Sequence, residues 1–350
     1  MKYYSVDKIM SYRCTYNILL GQRSNGKSFA CKRECVKEAF LGLGDLIYLR
    51  RWKLELKQED VIDYFRDCPV EEITGGEYNH IDVFRSRIYL ATINKETGEI
   101  KRGRAIGRTA DLAGASHLKS VIQRGQYKNI IYEEFCTDSG YIGGGKEPNK
   151  LMQFVATVFG VQYTGRVWLI GNTVSRYNPY FFCWQLKSLQ KMKPGDIDIY
   201  KFKDGDEEIS IAVEFCSSLN VSNNMFIGDA KANITTGVWE TTSQPQIPEE
   251  FGKFKVVYKM AVEYQDFRFI LKVIRNAAKE MLLLCVNDPD EKAKRIVSDK
   301  IGGDVMTTTK MIPLTKGDKI ILSLIKRGKM VYANNLVGTD FQSILKNVSI

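Results

Sequence analysis

Tyr16-Asn17-Ile18-Leu19-Leu20-Gly21-Gln22-Arg23-Ser24-Asn25-Gly26-Lys27-Ser28 is the stretch that decides the fold. An apolar run ends in a glycine turn, and the turn opens a helix beginning at Lys27. Residues 21–28 complete the pattern G-x-x-x-x-G-K-S in the strand-loop-helix context its chemistry requires. Freed backbone N–H groups at such a helix start can wrap an anionic phosphate. Gly21, Arg23, Ser24, Asn25 and Gly26 would form the cradle. Lys27 would reach the β- and γ-phosphates, and the Ser28 hydroxyl would sit on Mg²⁺. A chance glycine loop before an ordinary helix would have to reproduce every one of these positions. The ligands expected are ATP, or another nucleoside triphosphate, and Mg²⁺.

A triphosphate loop needs an acidic element on a neighbouring strand. Ile130-Ile131-Tyr132-Glu133-Glu134-Phe135 supplies it. The first acid, Glu133, reads as the metal acid, and Glu134 as the catalytic acid that polarises the attacking water. Two glutamates after an apolar run are common by chance, so this pair takes its meaning from the loop before it. Val167-Trp168-Leu169-Ile170 is a further buried strand ending in Gly171-Asn172. Asn172 at its tip is expected to sense the γ-phosphate, the bland alternative being a turn-forming asparagine. Leu49-Arg50-Arg51-Trp52-Lys53 places three cations at a strand end, open to two readings: phosphate-backbone contact or an exposed terminus.

Strand and helix signals alternate through the first ~200 residues, the pattern of an α/β sheet with crossover helices. The spacing predicts a strand over 15–22, a helix from 27 to about 40, a strand over 45–50, and a hairpin over 81–100 turning at 94–98. Residues 150–160 show helical periodicity. Three regions are expected: a P-loop ATPase domain over 1–195, a small β appendage and linker over 196–250, and a basic α+β domain over 251–350. In the last, Asp288-Pro289 reads as a helix start running to about residue 300, and a final helix presents Phe341, Ile344, Leu345 and Val348.

The 350-residue chain carries a formal charge of +10, and residues 251–350 hold 18 Lys+Arg against 10 Asp+Glu, or +8 of it. A basic terminal module beside a nearly neutral nucleotide-binding module suits a polyanionic partner, although solvated surface lysines give the same count. Eight scattered cysteines without a C-x-x-C pair read as reduced thiols, and with two histidines a zinc site is not expected. No run approaches the ~18 apolar residues of a membrane span, and the N-terminus lacks a signal-peptide core.

Taken together, these residues resemble the DNA-packaging (encapsidation) ATPases of phi29-type bacteriophages. The matching pieces are residues 21–28 with Arg23 inside the loop, Tyr48-Leu49-Arg50-Arg51-Trp52-Lys53, Glu133-Glu134-Phe135, Thr157-Val158-Phe159, Asn172 followed by Val174-Ser175, Asn178-Pro179-Tyr180-Phe181, and Phe226-Ile227-Gly228-Asp229. They span roughly residues 10–230. The resemblance implies an ASCE-type P-loop domain followed by a vestigial ribonuclease-H-like α+β domain. It implies an ATP-hydrolysing motor that draws double-stranded DNA into a preformed prohead. The motor would act in the host cytoplasm as a homo-oligomeric ring, a pentamer, attached to the prohead portal during packaging, with a structural RNA as adaptor. The alternative from the residues alone is another P-loop ATPase acting on nucleic acid, of helicase or recombination type, or a nucleotide-dependent scaffold with little turnover. By the resemblance, Lys53 is a DNA-gripping residue, with Arg50 and Arg51 beside it, and Lys119 acts across the subunit interface. Two positions depart from the family pattern. Glu133 stands where aspartate is commoner, and Gly160 stands where an arginine follows Thr-Val-Phe. Lys119, Arg124 and Arg166 are the cations left for a trans-acting role. The carboxylates Glu263, Asp266, Asp288 and Asp290 fall at strand ends or turns, so two-metal nuclease chemistry is not expected.

Overall fold

Six consecutive residues, Tyr16–Gly21, form strand β1 and all six are buried. A strand flanked by parallel neighbours and covered on both faces is buried along its length, and its one polar residue, Asn17, donates its side-chain amide to the Cys14 carbonyl. The computed structural model of the chain describes residues 4–22, 25–118, 122–123, 125–137, 140–143, 146–160, 165–173, 178–204, 207–217, 242–264, 267–298, 306–307 and 314–347. It divides into two units, 1–239 and 240–350.

The first unit is built on a nine-stranded sheet in the order β3-β4-β5-β2-β6-β7-β1-β9-β8. Its parallel centre runs from β5 (Ile100–Asp111) through β2 (Asp45–Arg50), β6 (Tyr127–Glu133), β7 (Arg166–Asn172) and β1 to β9 (Glu207–Phe215). Strand β7 is inserted between the phosphate-loop strand β1 and the acid strand β6. That insertion is the additional strand of an ASCE-type P-loop ATPase fold. Alternate residues face opposite sides. Ile18, Leu20, Ile130 and Leu169 pack with Leu151, Phe154 and Val158 of helix α5 (Glu147–Phe159). Leu19, Ile131, Trp168 and Ile170 pack with Cys31, Cys35 and Val36 of helix α2 (Lys27–Phe40).

Several expectations are corrected. The region over 81–100 is a three-stranded meander, not one hairpin. Strands β3 (His80–Phe84) and β4 (Arg87–Ile93) meet at a tight turn where Arg85 and Ser86 have φ of 46° and 63°. Two successive positive φ values make a hairpin turn usually signalled by Asn-Gly, and Arg-Ser hides it. The second bend falls in the expected 94–98 stretch, where Asn94 Oδ1 accepts from the N–H groups of Glu96 and Thr97. Strands β8 (Ile197–Asp204) and β9, expected as a small appendage on the first domain, are an integral part of its main sheet, because β9 pairs with β1 from Tyr16 to Leu20.

The second unit has a six-stranded sheet in the order β14-β13-β10-β11-β12-β15. Strands β10 (Phe254–Tyr264), β11 (Phe267–Asn276) and β12 (Met281–Val286) are antiparallel, while β13 (Arg295–Ser298) and β14 (Met306–Thr307) continue in parallel from β10. This is the order and sense of a ribonuclease-H-like sheet, with β15 (Met330–Tyr332) added beside β12. The expected helix after Asp288 is absent: Asp288 Oδ1 captures the N–H groups of Asp290 and Glu291 in a turn, and the β-branched pair Ile296-Val297 continues as β13. Helix α7 (Lys316–Lys326) starts in a Thr315–Asp318 capping box, and the expected final helix is α8 (Asn335–Asn347). Glu263 pairs with Arg268, and Glu291 with Lys259 and Lys272.

Candidate active site

The carboxyl ends of β1, β7 and β6 lie side by side, and a cavity of about 630 Å³ opens there. Its wall includes Asn25, Gly26, Lys27, Ser28, Glu133, Glu134, Gly171 and Asn172. Gly21 ends β1 with φ +146°, and a Cβ there would lie 3.2 Å from the Cys216 carbonyl oxygen, so glycine is needed at the turn. Gly26, at φ +92°, takes the left-handed conformation that turns the chain into α2. Lys27 is buried. Its Nζ donates to the Gln22 carbonyl at 2.6 Å and to Asn25 Oδ1 at 3.1 Å. Burial pulls its pKa below the ordinary lysine range.

The twin glutamates are brought to this loop. Ser28 donates its hydroxyl to Glu133 Oε1, and Glu133 Oε2 is buried with no hydrogen-bond donor among the described residues. Burial raises the Glu133 carboxyl to about 7, opposed by the Ser28 hydrogen bond and by Arg50. A serine hydroxyl beside an unsatisfied carboxylate oxygen is a hard-oxygen donor set. It suits Mg²⁺, which takes one or two protein oxygens together with phosphates and water. Glu134 leaves the strand with φ +55°, a left-handed conformation uncommon for non-glycine residues. Holding it there costs roughly 1–3 kcal/mol. The turn sends its side chain out into the cavity mouth, 63% exposed, where Oε2 accepts from Arg50 at 2.7 Å. Asn172, the last residue of β7, lies in register with Gly21.

The basic run at the end of β2 is corrected in part. Arg50 faces the site and is ion-paired to Glu134 and Glu55. Arg51 is 4% exposed and engaged with Glu147. Neither guanidinium is presented to a DNA backbone. Lys53, in the exposed turn Lys53–Glu55, remains available to one. Arg166 begins β7, at the opposite end from Asn172, and is held by Glu38 and stacked on Trp168. Gly160 terminates α5 with φ +76°, which an arginine would adopt only under strain. Arg23, Ser24, Lys119, Arg124, Val174-Ser175 and the 226–229 motif lie outside the described residues.

Residues 1–234 match the family described as the Podovirus DNA encapsidation protein (Gp16). The chain belongs to that family. It is 31% identical over 176 residues to the DNA packaging protein of Bacillus phage B103, covering 49% of each chain. It is 29% identical over 194 residues to the DNA packaging protein of Bacillus phage phi29, covering 53% of this chain and 50% of that one. The chain thus spans about half the length of the curated relatives it matches. In fold it is similar to a chain of the bacteriophage Phi-29 viral genome packaging motor assembly, with a TM-score of 0.59 at 20% identity over 99% of both chains. It is similar also to a chain of the Phi-28 gp11 DNA packaging motor, with a TM-score of 0.51 at 16% identity over 99% and 98%.

One residue that sequence reading missed ties the family's signature pieces together. Glu147, the first residue of α5, is fully buried. Its carboxylate accepts from Arg51 Nε at 2.9 Å, Arg51 Nη2 at 3.1 Å, Tyr132 Oη at 2.7 Å, Tyr180 Oη at 2.9 Å and the Ile142 N–H at 2.8 Å. Asn178 caps the short helix Pro179–Cys183 by accepting from the Tyr180 N–H, which holds the tyrosine in place. Arg51 of Arg-Arg-Trp-Lys and Tyr180 of Asn-Pro-Tyr-Phe therefore meet on one carboxylate, together with Tyr132, the residue before Glu-Glu-Phe.

Proposed function

We propose that this chain is the ATP-hydrolysing motor that translocates double-stranded viral DNA into a prohead. The observation that carries the reading is the Ser28–Glu133 contact, with Lys27 and Glu134 in the same cavity. In this reading the loop N–H groups and Lys27 bind the β- and γ-phosphates of ATP. Ser28 and Glu133 hold Mg²⁺, which when bound neutralises charge on the phosphate oxygens. Glu134, projecting into the mouth of the cavity, orients the attacking water and takes its proton. Asn172, on the strand between loop and acids, reads whether the γ-phosphate is present. Lys53 grips the DNA backbone, so affinity depends on salt and is largely blind to sequence. The +8 charge of residues 251–350 supports a polyanionic ligand for the second unit as well.

The working form in this reading is a homo-oligomeric ring, five subunits by analogy with the phi29 type. It docks on the prohead portal through a structural RNA while the host cytoplasm supplies ATP. Phage DNA mixed with empty capsids, this protein and ATP should become resistant to added nuclease, and Glu134→Gln should abolish that protection. Unwinding of a tailed duplex by the protein alone, with no capsid-dependent protection, would replace packaging by a helicase-type function.

A further inference from the structure

We propose that Arg51, clamped by Glu147, is a positioning residue for catalysis: it holds the backbone of Glu134 in the conformation that aims this carboxylate into the cavity. The inference rests on the ATPase reading above and assigns the device that sets its geometry.

Arg51 spends its donors in two directions. Nε and Nη2 form a forked pair with Glu147, while Nη1 donates to the Glu134 carbonyl at 3.2 Å and Nη2 to the Phe135 carbonyl at 2.7 Å. These are the first two peptide oxygens beyond the Cα of Glu134, the residue that adopts φ +55°. Glutamate does not favour that conformation, so it persists only where its surroundings impose it. With Glu133 held on one side by its pairing in β6, two carbonyls on the other side drawn to one planar guanidinium impose it. The guanidinium is itself fixed: Glu147 takes two of its donors, and the rings of Tyr132 and Tyr141 lie 5.8 and 5.2 Å from its centre. Glu147 is fixed in turn by Tyr132, Tyr180 and the Ile142 N–H. The chain of restraint runs from α5 through a buried ion pair to the catalytic peptide. Planar fork geometry is essential to it, because a lysine ammonium is a point donor that cannot serve a bidentate carboxylate and two carbonyls together.

Arg51→Lys and Glu134→Gln are to be compared with wild type for ATP turnover and for binding of a fluorescent ATP analogue. The expected result for Arg51→Lys is a fall in kcat of about 100-fold, the scale of a misplacement near 1 Å, with analogue affinity within about twofold. A purely structural role would lower the active fraction and leave kcat per bound nucleotide unchanged, and that outcome overturns the proposal. If Arg51→Lys gives no cooperative thermal transition, Arg51→Met combined with Glu147→Gln removes the clamp without leaving a buried charge, and the same criteria apply. An inactive Glu134→Gln beside a fully active Arg51→Lys overturns the clamp alone. A fully active Glu134→Gln overturns the catalytic role of Glu134 and the clamp with it, whereas absence of ATP turnover in the wild type overturns the ATPase reading.

Discussion

Ser28 Oγ donates to Glu133 Oε1 across 105 positions of sequence, joining the start of α2 to the end of β6. The acid in that contact has its pKa raised to about 7 from 4.5, chiefly by burial. Mg²⁺ requires the ionised form, so Mg²⁺-nucleotide affinity should rise with pH and level off above about 7. At pH 6 it should be about tenfold weaker than at pH 8. By the same linkage the nucleotide-free fold loses stability between pH 4.5 and 7, because the folded state retains a proton the unfolded chain has released. Calorimetric titrations of wild type and Glu133→Gln at both pH values check this: the extra pH dependence should vanish in the variant.

Glu134→Gln keeps shape and loses the base. Turnover should fall by about 100-fold or more while ATP binding stays within about twofold. Single-turnover kinetics with labelled ATP separate the two, and hydrolysis at the wild-type rate would remove the assignment.

Lys53→Ala and Arg51→Ala should fail differently although two positions apart. Lys53 is exposed and Arg51 is buried on Glu147. Lys53→Ala is expected to leave ATPase activity intact and abolish DNA packaging. Arg51→Ala strands a buried carboxylate and should cost roughly 3–5 kcal/mol, seen as a lower midpoint in urea. Parallel loss of ATPase and packaging in Lys53→Ala would make that lysine structural.

Gly107 lies where β5 pairs with β2, and a Cβ there would sit 2.3 Å from the Leu46 carbonyl oxygen. Gly107→Ala should therefore destabilise by about 1–3 kcal/mol. Urea denaturation should show a lower midpoint at unchanged slope.

The strand, loop and helix at 16–40 were legible because their signals are local: an apolar run, two turn glycines and a Lys-Ser pair within one short segment. The order β6-β7-β1 was not legible: the acids were expected on a strand neighbouring the loop strand, and β7 stands between the two. The Glu147 hub was not legible. A glutamate in the first turn of a helix reads as an ordinary complement to the helix dipole, and its donors come from four separated segments of chain. Arg50 and Arg51 misled for a related reason. Cations at a strand end look solvent-facing until the acids that cover them, Glu134 and Glu147, are placed by the fold. Strand β9 was read as peripheral because nothing in its alternating pattern reveals a partner nearly two hundred residues earlier.

Lys53 is separated from Arg51 by two peptide units, about 7 Å of extended chain. Whatever load the exposed lysine bears arrives at the guanidinium through covalent bonds, with no relay of intervening contacts. If Lys53 grips DNA and Glu134 serves hydrolysis, as proposed, a tug at the surface and the aim of that carboxylate share one short lever, and its stiffness, more than affinity at either end, would govern how tightly stroke and chemistry keep time.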